Sequence, residues 1–233
     1  MVRPSSGIYI VSMMPIFDEK SVSPLGELDK NNTSQLYTDL ILNHKENLDK
    51  IANNTSINYC FDEQDRNYLP DIFRKENAKC IFNNSETPYQ HIKNIVDKNF
   101  NLASINLIIF ANSIGFSSLE LKRILDLLTI ESDAVIIGKS INDRVSFIGF
   151  NNVSQKLIND IHWDGLKFDS LLHKVNKFDN FVYVWENSLV VNSGKDFKLL
   201  YSELSKKESL EYCSQQMHEK FTHIFIEYKD ILK

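Results

Sequence analysis

Three apolar segments of the chain lead into candidate ligand-binding residues, and after two of them these are polar side chains that could bind an anion or move a proton. The first segment leads into Met14 and Pro15, and the second leads into Asn112 and Ser113. The third leads into a charged turn, residues 139–144, which contains these side chains: Lys139, Asn142, Asp143 and Arg144. Lysine and arginine can contact phosphate directly, and a carboxylate such as that of Asp143 can act as a general base. These three positions are therefore the candidate site.

Each of these residues also has an ordinary structural interpretation. Lys139 and Arg144 could be solvated surface charges, and Asp143 could occupy a turn for backbone reasons alone. Trp163, farther along the chain, could stack on a base or a sugar, or it could be a half-buried anchor. Both interpretations remain open for all of them.

Other catalytic chemistries lack their sequence signatures. The six histidines form no metal-binding pattern, and His218 and His223 are five residues apart, which places them on different sides of a helix. Neither a G-x-S-x-G motif nor a phosphate-binding P-loop is present. The three cysteines, Cys60, Cys80 and Cys213, are far apart, which favours reduced thiols in the core.

The composition is that of a globular protein. The chain has 233 residues, of which 42% are hydrophobic and 24% charged, with a formal net charge of −5. This acidic balance disfavours nucleic acid and anionic membrane surfaces as partners. Neither a signal peptide nor a membrane-spanning apolar run is visible, so we expect a cytoplasmic protein.

Strand-like and helix-like segments alternate through the first 150 residues. Apolar runs predict five strands and a hairpin partner, at 7–14, 56–61, 78–82, 104–111, 133–138 and 145–150. Helical spacing predicts helices at 33–51 and 86–100 and a third after Ser117, where Ser117 and Glu120 form a capping box. This order predicts an α/β protein of three layers, α/β/α, with a mostly parallel central sheet. Such sheets bind ligands beyond the carboxyl ends of their strands.

The later part of the chain continues with shorter elements. We predict helices at 153–161, 168–175 and 195–204, and two strands at 181–185 and 188–191. We assign residues 1–204 to one domain and residues 205–233 to a C-terminal helical extension of it. Apolar residues recur along this extension with heptad-like spacing, from Leu210 to Ile231. The extension either folds back on its own domain or forms a homodimer contact, and we expect a chain cut after Leu204 to stay folded.

Residues 104–150 resemble a bacterial family of glycosyltransferase-like proteins within the nucleotide-diphospho-sugar transferase superfamily. That family has an apolar strand, an S-D-x-P loop, a helix, a second strand, a D-G-G-Y-Y turn and a strand ending L-I-G-L. Here the loop reads Asn112-Ser113-Ile114-Gly115, the turn reads Asn142-Asp143-Arg144-Val145-Ser146, and the last strand ends Phe147-Ile148-Gly149-Phe150.

Two later segments fit the family in order. Ile161-His162-Trp163-Asp164-Gly165 stands where the family has I-x-W-S-T, which adds Trp163 and Asp164 to the implied ligand-binding residues. Val191-Asn192-Ser193-Gly194-Lys195-Asp196-Phe197 stands where the family has V-D-T-P-E-D-L at the start of a helix. The resemblance covers about residues 7 to 204 and implies a nucleotide-diphospho-sugar transferase fold.

The chain departs from the family at the acidic positions. In the superfamily, aspartates at the end of the central strand and before the late helix hold a divalent cation, and this chain has Asn112 and Asn192 there. Asn142 likewise replaces the aspartate of the turn. An amide keeps an acceptor oxygen but loses the negative charge that Mg²⁺ or Mn²⁺ favours. We therefore expect no metal cofactor.

The first loop departs as well. The family reads Y-P-E-P-G-K-x-K-T-R-L, whereas this chain reads Met14-Pro15-Ile16-Phe17-Asp18-Glu19-Lys20, which is acidic. The resemblance implies a glycosyltransferase-like protein that binds a nucleotide-sugar or a sugar-phosphate, with lost metal dependence and weak or no activity. The alternative is a non-catalytic interaction domain of the same fold.

Overall fold

One curled, mostly parallel sheet organises the chain. The structure is a computed structural model that describes residues 6–51, 55–75, 79–84, 88–99, 103–151, 157 and 166–232. Within these residues the strands are β1 (Ser6–Val11), β2 (Thr55–Asp62), β3 (Lys79–Asn83), β4 (Ile105–Phe110), β5 (Ser113–Ile114), β6 (Ala134–Ser140), β7 (Val145–Asn151) and β8 (Phe181–Val190). They form an eight-stranded sheet in the order β3-β2-β1-β4-β7-β6-β8-β5. Strands β5 and β7 run antiparallel to their neighbours, and the other strands of this sheet run parallel to one another.

Helices connect most of these strands. In the described part of the chain they are α1 (Lys30–Asp49), α2 (Asp71–Lys75), α3 (Pro88–Asn99), α4 (Ser118–Ile130), α5 (Phe168–Val175), α6 (Gly194–Leu204), α7 (Gln215–Glu227) and α8 (Lys229–Leu232). Short 3₁₀ turns lie at Glu63–Asn67 and Lys207–Glu211. The α/β class and the mostly parallel sheet predicted from the apolar periodicity are thus confirmed.

Both faces of the sheet are buried. Alternate residues of a strand point to opposite faces, so Ile8 and Ile10 of β1 contribute to one apolar cluster, while Tyr9 and Val11 contribute to another. Residues of α1, α4, α6 and α7 belong to the first cluster, and residues of α3 and α5 belong to the second. The near-continuous apolar sequence of β4 follows from this burial on both sides.

The capping box that predicted the start of α4 is present. The Ser117 hydroxyl accepts a hydrogen bond from the Glu120 backbone N–H at 3.2 Å, and the Glu120 carboxylate accepts one from the Ser117 N–H at 2.9 Å. The two reciprocal bonds satisfy N–H groups that have no partner inside the helix.

The predicted division between strands 181–185 and 188–191 is wrong. One strand, β8, runs through Glu186 and Asn187, and Asn187 takes a left-handed conformation with φ of 80°. The register against β6 shifts at the same level, between Gly138 and Ser140. A bulge therefore absorbs the polar pair that resembles a turn in the sequence.

The loop Asn112-Ser113-Ile114-Gly115 contains the short strand β5, which pairs with the end of β8. Gly115 follows it with φ of 111°, and a Cβ atom there would lie 2.7 Å from the Asn187 carbonyl oxygen. Only glycine fits this close approach without strain. The predicted helix 153–161 lies almost entirely outside the described residues.

The C-terminal extension packs against the rest of the chain. Cys213, Met217, Phe221 and Ile224 are buried and belong to the same apolar cluster as β1. The central part of the heptad-like stripe therefore faces the protein's own core, as expected for a helix folded back on its domain, whereas Leu210 at its start is exposed.

Polar contacts with α1 reinforce this packing. The Asn47 side-chain amide donates to the Tyr212 carbonyl oxygen at 2.8 Å, and the Ser214 hydroxyl donates to the Glu46 carboxylate at 2.8 Å. The extension is thus bound to α1 by buried apolar surface and by hydrogen bonds. No helix among the described residues is long and apolar enough to cross a membrane.

This burial reverses our expectation that a chain cut after Leu204 stays folded. Removing the extension would expose the apolar cluster, so we now expect the shortened chain to lose its cooperative unfolding transition. In the full chain, Phe221→Ala should lower the free energy of unfolding by about 3–5 kcal/mol, because it leaves a cavity in the core. Urea unfolding followed by circular dichroism measures this change.

The control is Ile226→Ala on the same helix, α7. Ile226 is 62% exposed, so its truncation should change the free energy of unfolding by less than about 0.5 kcal/mol. If both substitutions changed the free energy of unfolding by the same small amount, the extension would not be part of the core.

Candidate functional site

The carboxyl ends of six strands meet at one edge of the sheet, which we call the carboxyl edge. Strands β1, β2, β3, β4, β6 and β8 run parallel and all end there. The order reverses between β1 and β4, because β1 connects outward to β2 on one side and β4 leads to the strands on the other. Crevices at such reversal points are the usual ligand sites of open α/β sheets.

Asn112 and Asn192 lie side by side at this edge. Their side-chain amides are in contact, and the Asn112 amide also donates to the Val191 carbonyl oxygen at 3.3 Å. The Val191 N–H in turn donates to the Asn112 carbonyl oxygen at 2.8 Å. The segment after β4 and the segment after β8 are therefore joined by backbone and side chain, and the two asparagines that stand at the implied metal positions are adjacent.

Arg144 reaches the same pair from the charged turn. With the Asn192 amide oriented so that its nitrogen faces the Val191 carbonyl oxygen, its oxygen accepts a hydrogen bond from Arg144 Nη1 at 3.2 Å. The Arg144 backbone is held by Ser140, whose hydroxyl accepts from the Arg144 N–H at 2.9 Å and whose backbone N–H donates to the Arg144 carbonyl oxygen at 2.9 Å. A half-buried guanidinium thus stands beside two neutral amides.

Asn142 fixes the charged turn against the end of β8. Its amide nitrogen donates to the Val190 carbonyl oxygen at 2.7 Å and to the Asp196 carboxylate at 2.9 Å, and its amide oxygen accepts from the Ser140 hydroxyl at 2.6 Å. These bonds use both ends of the amide. Asn142 therefore positions the turn through contacts within the protein.

Asp196 is a site residue that our interpretation of the sequence missed. It is buried, and its carboxylate accepts hydrogen bonds from the Asn142 amide, from the Asn192 N–H at 3.0 Å and from the Ser193 hydroxyl at 2.8 Å. The signal that could have found it is the Ser193-x-x-Asp196 spacing, because Ser193 is the N-cap of α6 and its hydroxyl accepts from the Asp196 N–H. Its negative charge also contributes to raising the pKa of Tyr37, after the larger effect of burial.

A metal-binding cluster is not formed by the residues that the structure describes. Among them there is no group of three histidine, cysteine or acidic side chains that could hold an ion. One acid, Asp196, does lie beside Asn192, but donors from three neighbouring residues already occupy its two oxygens. The residues present do not match the set of oxygen ligands that Mg²⁺ or Mn²⁺ prefers.

Asp143 and Lys139 lie at the outer side of the turn. The Asp143 side chain is 80% exposed, and its backbone adopts a left-handed φ of 57°. Lys139 Nζ lies 3.6 Å from the Asp143 carboxylate and 5.2 Å from the centre of the Phe168 ring. The turn thus pairs its lysine with its aspartate, and the Asp143 carboxylate faces solvent.

The first loop, residues 12–18, is held by a buried carboxylate. Asp65, just beyond the end of β2, is fully buried and accepts hydrogen bonds from three consecutive N–H groups, those of Ile16, Phe17 and Asp18, at 2.7 to 3.1 Å. Burial raises the pKa of Asp65, and the three N–H groups oppose that rise. Sequence patterns did not indicate this residue, because it lies in a polar stretch without periodicity.

Met14 and Pro15 are half-buried parts of the same loop. Met14 and Asn112 both line a small cavity of about 10 Å³, which joins the end of β1 to the end of β4. A cavity of this size holds about one water molecule. The loop therefore packs closely over this part of the carboxyl edge.

Ser113 is directed into the protein. It is fully buried, its hydroxyl donates to the Phe110 carbonyl oxygen at 2.6 Å, and it lies 3.4 Å from the imidazole of His44. Burial lowers the pKa of His44 to about 4, although its contacts with Ser113 and Phe110 act in the opposite direction. His44 also stacks on Phe116, with ring centres 5.9 Å apart.

Trp163 and Asp164 lie outside the described residues.

Comparison with solved structures identifies the fold. A protein from Desulfovibrio desulfuricans G20 named as a nucleotide-diphospho-sugar transferase matches with a TM-score of 0.72 and 16% identity, over 99% of this chain and 97% of the other. A 4-diphosphocytidyl-2C-methyl-D-erythritol synthase from Anaerococcus prevotii DSM 20548 matches with a TM-score of 0.58 and 12% identity, over 87% and 97%. A cytidylyltransferase from Leptospira borgpetersenii matches with a TM-score of 0.53 and 14% identity, over 98% and 96%.

These likenesses confirm the resemblance in fold to the nucleotide-diphospho-sugar transferase superfamily. The sequence identities are low, so the likeness extends to the fold alone. No protein-family model matches the chain, and no curated protein matches it.

His44 should make the stability of the protein depend on pH. The pKa of His44 is about 4 in the folded chain, against the ordinary histidine value of 6.5 that applies to the unfolded chain. Between these two pH values, therefore, only the unfolded chain takes up the proton. The stability that neutral His44 contributes is complete above pH 6.5 and is lost as the pH falls toward 4. Between pH 7 and pH 5 the wild-type chain should lose about 2 kcal/mol more of its free energy of unfolding than a His44→Gln variant loses.

Urea unfolding at several pH values measures this difference. His223→Gln is the control, because His223 is exposed, and it should follow the wild-type pH dependence. Parallel pH profiles for the wild type and His44→Gln would contradict a buried, neutral His44.

Proposed function

We propose that this protein is glycosyltransferase-like and binds a nucleotide-sugar or a sugar-phosphate at the carboxyl edge without a divalent cation, with weak or no transferase activity. The observation that carries the proposal is the contact between Asn112 and Asn192 beside the guanidinium of Arg144. The fold shared with nucleotide-diphospho-sugar transferases and cytidylyltransferases supports a nucleotide-containing or sugar-containing ligand.

Charge explains the loss of the cation. The negative charges of two carboxylates neutralise the positive charge of a divalent cation, whereas two amides offer acceptor oxygens that carry no net charge. A dication placed beside Asn112 and Asn192 would meet one neighbouring carboxylate, Asp196, whose oxygens already accept hydrogen bonds, and it would be repelled by Arg144. Binding of the ion at this place is therefore weak.

The same charge balance limits the chemistry. In a metal-dependent transfer the cation stabilises the negative charge that develops on the diphosphate leaving group. In this protein the guanidinium of Arg144 alone would have to stabilise that charge. The neighbouring carboxylate of Asp143 is the group that could accept a proton from the hydroxyl of the acceptor. Because Asp143 is largely exposed and paired with Lys139, we expect slow transfer or none.

The layer arrangement, the domain bounds and the cellular location belong to the same proposal. We infer that helices on both faces make a three-layer α/β/α arrangement, that residues 205–233 complete the domain 1–204, and that the protein is cytoplasmic. The free thiols of Cys60, Cys80 and Cys213 support a reducing compartment.

The alternative is a non-catalytic interaction domain of the same fold. Its homodimer form cannot use the apolar stripe of the extension, because Met217 and Phe221 are buried within the chain. The outer face would have to serve instead, where Leu210 and Ile226 are exposed. Two exposed side chains are a small apolar surface, so the ligand-binding function is the better supported.

The metal dependence can be tested by thermal unfolding. Millimolar Mg²⁺ or Mn²⁺, alone or with nucleotide-sugars, should shift the melting temperature of the wild-type chain by less than about 1 °C, because a ligand that does not bind the folded state does not stabilise it. The double variant Asn112→Asp, Asn192→Asp restores two carboxylates next to Asp196. It should gain a Mn²⁺-dependent rise on the order of several degrees.

A matched control adds the same charge elsewhere. Asn31 and Asn176 are exposed, and a double Asn-to-Asp variant at these two positions should show no response to the ion. A rise of several degrees in the wild type would defeat the claim that the metal site is lost. Absence of a response in the variant at 112 and 192 would show that these positions do not form an ion site.

A further inference from the structure

We propose that Arg144 is the anion-binding residue of the carboxyl edge and that the ligand presents to it a single phosphate monoester, as in a sugar phosphate or a nucleoside monophosphate, and not a diphosphate. This inference rests on the proposed ligand-binding function of the same edge and narrows its substrate class.

The first loop has no free backbone donors to offer at its centre. Consecutive backbone N–H groups that converge on one point make an anion-binding concavity. In this protein the N–H groups of Ile16, Phe17 and Asp18 converge on the carboxylate of Asp65. These three N–H groups therefore already have an acceptor, the fully buried Asp65 carboxylate, and are not available to a ligand phosphate.

The lysine of the charged turn is also engaged. Lys139 Nζ lies 3.6 Å from the Asp143 carboxylate and faces the Phe168 ring. A nearby carboxylate offsets most of the attraction that this lysine exerts on a second anion. Lys139 thus adds little positive charge to the edge.

Arg144 differs from Lys139 in its partners. With the Asn192 amide oriented as above, the guanidinium donates to its neutral oxygen, and none of the ion pairs between described residues involves Arg144. The amide orients the guanidinium without neutralising it. The remaining N–H groups form a planar fork that matches two oxygens of a phosphate.

The charge at the edge fits one phosphate. A phosphate monoester carries about −1.5 to −2 at neutral pH, which one guanidinium and the neutral amides can partly balance. A diphosphate carries more negative charge and needs further positive charge, and the neighbouring carboxylate of Asp196 would repel it more strongly than it repels a single phosphate. A single phosphate group is therefore the anion that this arrangement accommodates.

Calorimetric titration with paired anions tests the inference. The probes form two pairs: inorganic phosphate with pyrophosphate, and uridine monophosphate with uridine diphosphate. All titrations contain a chelator, so that no divalent cation is available, and are made at constant ionic strength. We expect the diphosphates to bind no more tightly than the matching monophosphates. Arg144→Gln should weaken monophosphate binding by about tenfold or more, because it removes charge-assisted hydrogen bonds.

Two further variants separate geometry from general charge. Arg144→Lys keeps the charge but loses the fork, so it should recover only part of the affinity. Arg123→Gln removes an exposed arginine of α4 and should leave binding unchanged. Equal losses in Arg144→Gln and Arg123→Gln would overturn the assignment of Arg144.

The outcomes also separate this inference from the proposed function. Tenfold tighter binding of the diphosphates would overturn the single-phosphate claim. Binding of nucleotide-sugars that Arg144→Gln leaves unaffected would overturn this inference and keep the proposed function. If neither these anions nor nucleotide-sugars bind the wild-type chain, both are wrong.

Discussion

The carboxylate of Asp196 holds the carboxyl edge together. Through hydrogen bonds it joins the charged turn at Asn142, the segment after β8 at Asn192 and the first turn of α6 at Ser193. The charged turn lies 54 residues from Asp196 in the chain, whereas Asn192 and Ser193 directly precede α6, so these bonds tie the turn to the start of α6. The position of Arg144 beside the asparagine pair depends on this junction, because Asn142 anchors the turn that carries it.

The composition of the edge follows from a balance of charge. Asn112 and Asn192 keep the shape and the acceptor oxygens of aspartates but remove two negative charges. Arg144 then faces amides and keeps its positive charge available. Restoring the carboxylates would pair them with the guanidinium, so the neutral amides and the uncompensated arginine are physically linked. In the function that we propose, such an edge attracts an anion directly, without a metal ion as a bridge.

The sequence was most informative where local pattern and burial coincide. The apolar run of β4 and the capping box of α4 were predictable, because burial on both faces and free helix N–H groups leave local signatures. The ends of the strands then located Asn112 and the charged turn. Asp65 was not predictable, because its partners lie 47 to 49 residues away and only the folded chain brings them together. The bulge at Asn187 was missed for the same reason, since its cause is the pairing of β8 with β6.

Asp65 and Asp196 act alike, and their likeness explains how the edge can exist without a ligand. Each is a buried carboxylate that accepts hydrogen bonds from backbone N–H groups of the segment that follows a parallel strand. Such groups need partners, and in a ligand site they commonly find them in a bound phosphate. Here the chain supplies the partners itself, so the edge is satisfied internally and ligand binding must draw on the donors that remain. Among the described residues of the site, Arg144 is the side chain that combines a full positive charge with unused donors.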